Sequence, residues 1–394
     1  DGSKGKKAGF AIGGFNKVKD DVNQDYFIVN RDSVRVYLDT LALKTKKGGF
    51  AIGGFNQSKG RNEKEYLRVT QDSTRIYIKE SGKGIKGGFA IGGFSGGKGP
   101  GPATPFTSLT PDNYFIGHKS GIKNKTGVFN SFVGYEAGMN NTSGIKNVFL
   151  GYHAGYSNDT SSFNVLVGND AGYYNKYGRF NAFFGYQSGY KNYSGNSNLF
   201  IGYQSGYSNV AGNYNSFLGY QAGNANTTGA QNSFLGSFSG MKNTSGNNNT
   251  FVGFNAGYNS LSGQANNFVG TNSGFSNTTG ANNVFMGPET GYLNTTGGYN
   301  IFIGYQSGYS NLIGQNNVFL GNLAGYANTA SNNVFLGFES GRYNTLGTTN
   351  AFMGYQSGRS NTTGISNVYI GNQAGYLNST GGSNVFIGNT AGYN

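Results

Sequence analysis

From residue 113 onward the chain repeats one phrase: a polar residue, a variable one, an aromatic, an aliphatic and a glycine, followed by a polar run rich in turn formers. The glycines Gly117, Gly134, Gly151, Gly168, Gly185, Gly202, Gly219, Gly236, Gly253, Gly270, Gly287, Gly304 and Gly321 are spaced at 17, and after one dropped residue Gly337, Gly354, Gly371 and Gly388 follow. Taking this glycine as position 0, Asn stands at −4 from Asn113 to Asn384, and Phe stands at −2 except at Leu166 and Tyr369. Position −1 is always apolar, +3 is Ala, Ser or Thr, and +4 is a second glycine from Gly121 to Gly392. Asn fills +7 in fifteen of the sixteen units that reach it, and Gly fills +10 in fourteen. A fixed short period marks a solenoid, in which each unit buries its apolar residues only against its neighbours.

The piece Asn-Val-Phe-Ile-Gly, β-branched and aromatic and bounded by glycine, predicts a short strand, and the remaining Asn, Gly, Ser and Thr leave no room for a helix. Seventeen residues hold two short strands and two glycine turns, one coil of an all-β parallel solenoid (a β-roll). At one strand spacing per coil, ~4.8 Å, the units make a rod of roughly 80 Å. Equivalent residues such as Asn147, Phe149, Gly151 and Gly155 then stack in ladders, with the Asn at −4 bonding coil to coil. Strand side chains alternate, so the −1 and −2 sets point to opposite sides of the wall. Whichever set faces outward forms a long apolar stripe, and each Phe left in water forgoes about 2 kcal/mol. This predicts an obligate homo-oligomer that buries both sets; a single chain whose Tyr at +1 and +5 fold over the stripe is the alternative.

The first 105 residues are organised differently. Gly-Phe-Ala-Ile-Gly-Gly-Phe occurs at Gly9–Phe15, Gly49–Phe55 and Gly88–Phe94, and between the copies the alternating stretches Tyr26–Leu38 and Tyr66–Ile78 predict two β-hairpins. The Gly- and Pro-rich segment Gly96–Pro102 reads as a linker, which gives a basic β region over 1–105 and a solenoid over 106–394. The short coil, the Asn147-Val148-Phe149-Leu150-Gly151 core and the Gly-Phe-Ala-Ile-Gly-Gly-Phe copies resemble the head repeats of trimeric autotransporter adhesins, and the Gly-Tyr-Gln-Ser-Gly-Tyr form is similar to repeats of Bacteroidota surface or tail-fibre-like proteins. The resemblance implies a homotrimeric fibre at the cell surface.

Composition changes this picture little. Gly contributes 70 of 394 residues, charged residues are 11%, and Cys and Trp are absent. The net charge of +13 is concentrated in the first 105 residues, where the lysines are scattered through loops, and no nucleic-acid module accompanies it. No run of eighteen apolar residues occurs, so no membrane span is expected. His118 and His153 fall at different unit positions, and no carboxylate cluster, nucleophile triad, phosphate loop or calcium nonapeptide can be assembled, so neither enzyme, metal nor cofactor is expected. The start at Asp1 without a leader fits a processed or truncated extracellular protein, and the stop in mid-unit at Asn394 leads us to expect further repeats or end-to-end stacking.

The turn after +7 carries the remaining candidate chemistry. Asn124, Asn141, Asn158, Asn192, Asn226, Asn243, Asn277, Asn294, Asn361 and Asn378 open Asn-x-Ser/Thr tripeptides, either as turn residues or as glycan acceptors. Ser33 and Ser73 sit in short Asp-Ser motifs similar to the O-glycosylation signal of Bacteroidota. Ice binding would need a flat Thr-x-Thr face, and the Thr at +8 and +9 are too irregular. Two functions remain: an adhesive bacterial surface fibre meeting itself, a host or neighbouring cell surface or a polysaccharide; or a receptor-binding tail fibre of a phage or contractile injection particle.

Overall fold

The computed structural model describes residues 104–394 continuously, with side chains from Thr107, and ahead of them the backbone of six strands. The chain divides into two compact units, Asp1–Lys79 and Glu80–Asn394. In the first, β1 (Phe27–Val29) pairs antiparallel with β2 (Val34–Val36), and β3 (Phe50–Gly53), β4 (Glu65–Val69) and β5 (Thr74–Ile76) form an antiparallel sheet, so both predicted hairpins are present.

The third motif copy lies in the second unit as β6 (Phe89–Gly93), paired antiparallel with β7 (Thr104–Leu109). This copy thus hydrogen-bonds into the solenoid sheet and belongs to the compact unit Glu80–Asn394. In β3 and in β6 the register shifts between the Ile and the next Gly of the motif, where a glycine tolerates the bulge. The expected linker at 96–102 lies outside the described residues.

β7 pairs antiparallel with β8 (Asn113–Ile116) and covers the first coil edge. From β8 through β9 (Asn130–Val133) to β24 (Val385–Ile387) the strands are parallel, like residue opposite like residue: Phe132 faces Phe149 and Val133 faces Leu150. One strand spacing per coil separates β24 from β8 by roughly 80 Å, so the sheet is an open stack.

Each coil holds one strand, mostly of three residues, instead of the two expected. The reason is left-handed backbone on the other side: Gln204 at +2 has φ 51° and Gly206 at +4 has φ 59°, which no extended run accommodates. That side is still laddered, since the Gly206 amide donates to the Ala222 carbonyl at 3.0 Å and the Ser208 amide to Asn224 at 2.9 Å, one coil on.

The Phe at −2 points inward. Phe132 to Phe352 are fully buried or nearly so, and except at the Leu166 break their rings stack in a column, 4.6 Å apart for Phe132 and Phe149 and 4.7 Å for Phe352 and Tyr369. Glycine at +4 makes the space: a Cβ on Gly206 would stand 2.5 Å from the Phe200 ring. Glycine at 0 sets the coil-to-coil approach, since a Cβ on Gly202 would stand 2.3 Å from the Gly219 oxygen. The aliphatic set at −1 faces outward; Leu150 and Leu235 are each 47% exposed. In the single chain, then, the Phe set is buried and the −1 set is not. The inward Phe column removes the Phe contribution to association, and of the two sets the aliphatic one faces water.

Opposite the Phe column the core is polar. Asn147 at −4 donates through Nδ2 to the Ser161 carbonyl at 3.0 Å, and its Oδ1 accepts from the backbone amide of Asn164, one coil on, at 3.0 Å. At +7, Asn192 Nδ2 donates to Asn175 Oδ1 at 2.6 Å and to the Gly195 carbonyl at 3.0 Å. The short coil between Gly321 and Gly337 absorbs its missing residue around +8 to +10. Asn328 Nδ2 turns to the Ala330 carbonyl at 2.7 Å, leaving Asn311 Oδ1 without a donor, while the −4 ladder continues from Asn317 to Asn333.

Candidate functional site

The turn asparagines are inside the rod. Asn141, Asn158, Asn192, Asn226, Asn243, Asn277, Asn294 and Asn361 have no solvent-accessible surface. Their amide nitrogens are engaged in the coil, as when Asn226 Nδ2 donates to Asn209 Oδ1 at 2.8 Å and to the Gly229 carbonyl at 3.0 Å. A glycan on that nitrogen would have to replace the ladder, because the coil closes over it. Only Asn124 and Asn378, in the terminal coils of the +7 column, are partly exposed. Ser33 and Ser73 lie outside the described residues. The Thr hydroxyls at +8 are also drawn into the ladder: Thr244 Oγ1 donates to the Leu261 carbonyl at 2.9 Å.

Two outer faces have a surface chemistry of their own. The first is the sheet, where the −1 residues run unbroken from Ile116 to Ile387 and the −3 residues beside them are apolar except for a block at Ser216, Ser233, Thr250 and Asn267 and the isolated Ser131. The second lies just past the position-0 glycine, where columns at +1, +2 and +5 run side by side. His153 at +2 shows the arrangement: its ring is 3.8 Å from Tyr152 at +1 and 5.1 Å from Tyr156 at +5.

In the coils of Gly185, Gly202 and Gly219 this second face is most regular. Tyr186, Tyr203 and Tyr220 stack at 5.3 and 5.1 Å, and Tyr190 and Tyr207 at 5.1 Å with planes only 4° apart. Between them Gln204 Nε2 donates to Gln187 Oε1 at 2.9 Å, and Gln221 Nε2 to Gln204 Oε1 at 3.0 Å. The glutamines are half-buried and the +1 tyrosines exposed, which makes a shallow trough with an amide floor. Burial, followed by the neighbouring Tyr174, Tyr207 and Asp170, pushes the Tyr190 hydroxyl up to about 12, so it remains a protonated donor.

Elsewhere the +2 column carries ionisable side chains. Lys119 Nζ lies 3.3 Å from Glu136, and His153 lies 3.3 Å from Glu136 and 3.5 Å from Asp170. Farther along, Glu339 is bound by Arg342 and, at 2.6 Å, by Arg359. Burial pushes the Glu339 carboxyl up, but the hydrogen bonds from Arg359 and Gln356 and the charges of both arginines outweigh it and hold it below its ordinary value.

Sequence reasoning placed Gly-Tyr-Gln-Ser-Gly-Tyr on a strand and turn without seeing that its Gln stands between two Tyr columns. The recurring Gln at +2 was the available signal. Among the described residues no group of three His, Cys, Asp or Glu is placed to hold a metal ion, and no helix is long and apolar enough to cross a membrane. Comparison with protein-family models, with curated proteins and with solved structures finds no match.

Proposed function

We propose that this chain is a structural and adhesive rod of an extracellular bacterial fibre, assembled as a homotrimer through its sheet face, with no catalytic role. The observation that carries this reading is the exposed aliphatic row at −1, continuous along a rigid, in-register parallel sheet. Such a stripe, roughly 80 Å by 10 Å, offers about 800 Å² per partner, which is what a stable protein interface needs. It exceeds the few hundred Å² that a monomer ordinarily exposes in one piece.

A second copy of the same chain is the partner whose repeat distance matches without adjustment, so side chains of one rod seat between those of the next at every coil. The polar block from Ser216 to Asn267 supplies register, because apolar stretches then meet apolar stretches only when the blocks coincide. The remaining faces, rich in Tyr, Gln and Asn, are left for contact with other surfaces.

The test is sedimentation equilibrium of the full chain and of the double variant Leu218→Glu, Leu235→Glu. The reading expects a trimer for the natural chain and a monomer of unchanged circular dichroism for the variant. A natural chain that sediments as a monomer at micromolar concentration refutes it.

A further inference from the structure

We propose that the Tyr–Gln–Tyr trough binds an extended, uncharged β-1,4-linked glycan that lies along the rod axis with one pyranose ring over each coil. The inference deepens the adhesive part of the function above and rests on it for biological context only.

Spacing is the first ground. Repeating groups on this face recur at 5.1 to 5.3 Å along the +1 column. An extended β-1,4 glycan advances by a little more per sugar than the ~4.8 Å rise of one coil, so a few successive rings lie near successive coils before the two repeats drift apart. A coiled α-linked glycan does not.

Hydrogen-bonding capacity is the second. Gln204 uses one Nε2 hydrogen on Gln187 and one Oε1 lone pair on Gln221. A carboxamide has two hydrogens and two lone pairs, so each coil of the ladder retains one donor and one acceptor. Two neighbouring sugar groups that both donate and accept, the 2- and 3-hydroxyls of a glucan or the acetamido and 3-hydroxyl of an N-acetylglucosamine polymer, complement that set. The +1 tyrosines, and Tyr190 with Tyr207 at +5, stack face to face, so ring edges flank the glutamines, and Asn224 takes the +5 place in the Gly219 coil. The floor in these three coils holds no charge, which selects a neutral chain.

Backbone conformation is the third. Position +2 is left-handed throughout, at φ 51° to 59° from Lys119 to Thr390, a region where glycine or asparagine is favoured. No coil uses glycine there, and Gln occupies it at 187, 204, 221, 306, 356 and 373. The shared conformation places the amide at the same point of each of these coils.

Isothermal titration of the full chain with cellohexaose, chitohexaose, cellobiose and maltohexaose tests the proposal. It expects binding of at least one β-linked hexamer, at least tenfold weaker binding of cellobiose, and none of maltohexaose; the two β-linked hexamers distinguish glucan from N-acetylglucosamine polymer. Gln204→Leu should weaken the bound hexamer by tenfold or more. Gln204→Asn, which suits the left-handed backbone but lacks the reach, should do the same with the fold intact by circular dichroism. Equal binding of maltohexaose, absence of binding by both β-linked hexamers, or unchanged affinity in Gln204→Asn overturns it. Repeating the titration on the Leu218→Glu, Leu235→Glu variant separates this result from the self-association reading, since the trough and the sheet face are different surfaces.

Discussion

Ser260 is the one residue at +7 that is not asparagine among the coils that reach that position, and Ser260→Asn should stabilise the rod. In the natural chain Ser260 Oγ and Asn243 Oδ1 are both buried without a hydrogen-bond partner. Asn277, one coil on, donates to the Gly280 carbonyl at 3.1 Å but has no ladder acceptor below it. The backbone does not explain the gap, because the Leu261 amide donates to the Thr278 carbonyl at 2.9 Å as its equivalents do elsewhere. An asparagine at 260 would give its amide to Asn243 Oδ1 and accept from Asn277, as Asn226 does between Asn209 and Asn243. Two neutral buried bonds at about 1 kcal/mol each, less the ordering of one longer side chain, give a net gain of about 1 to 2 kcal/mol. Solenoids open locally, so the assay is native-state hydrogen exchange, with slowing of about tenfold at the amides of 260–278 for each 1.4 kcal/mol gained. The mirror variant Asn226→Ser creates the same defect in an intact stretch and should accelerate exchange around 209–243 by a similar factor. Unchanged exchange in both variants would refute the claim that the amide ladder contributes to coil-to-coil cohesion.

Phe251→Ala removes a fully buried ring stacked at 4.8 Å on Phe234 and 4.9 Å on Phe268, and urea denaturation should record a loss of about 3 to 5 kcal/mol; less than about 1 kcal/mol would mean that the ring column is not the core. The depressed Glu339 carboxyl contributes stability that is complete above its ordinary value of 4.5 and is lost as pH falls through its lower folded value, so Glu339→Gln should flatten the acid limb of stability against pH; an unchanged acid limb counts against the pairing with Arg342 and Arg359. Tyr190, raised to about 12, should be among the last phenols to ionise in an alkaline absorbance titration, and Tyr190→Phe should remove amplitude from the high end of that curve rather than from its middle.

The solenoid, its period and its asparagine ladder were legible because translation symmetry makes every coil report the same constraint. The residue that departs least from consensus is then the most constrained, as the glycines at 0 and +4 show through the atoms their Cβ would strike. Facing was not legible, since alternation assigns −1 and −2 to opposite sides without saying which side is closed. The ring at −2 faces the side where Gly206 and its equivalents leave room, a contact between residues six apart that no strand pattern encodes. The second strand was expected from length alone; left-handed φ at residues such as Gln204 and Tyr214, neither glycine nor asparagine, is invisible in composition. The buried state of Asn141 and its equivalents was hidden for a related reason, because the tripeptide that marks a glycan acceptor also marks a turn whose amide points inward.

Stacking like on like along one axis has a mechanical consequence. Pulled between its ends, the rod transmits load through every coil junction in series, and the terminal junction, with one neighbour instead of two, gives way first. Each junction that yields exchanges an axial rise of ~4.8 Å for a freed segment of seventeen residues that extends to about 58 Å. The released segment therefore lengthens about twelvefold, while the coils behind keep their bonds and re-form the lost one when tension falls. A rod of this design yields one coil at a time under a sudden pull instead of coming apart all at once.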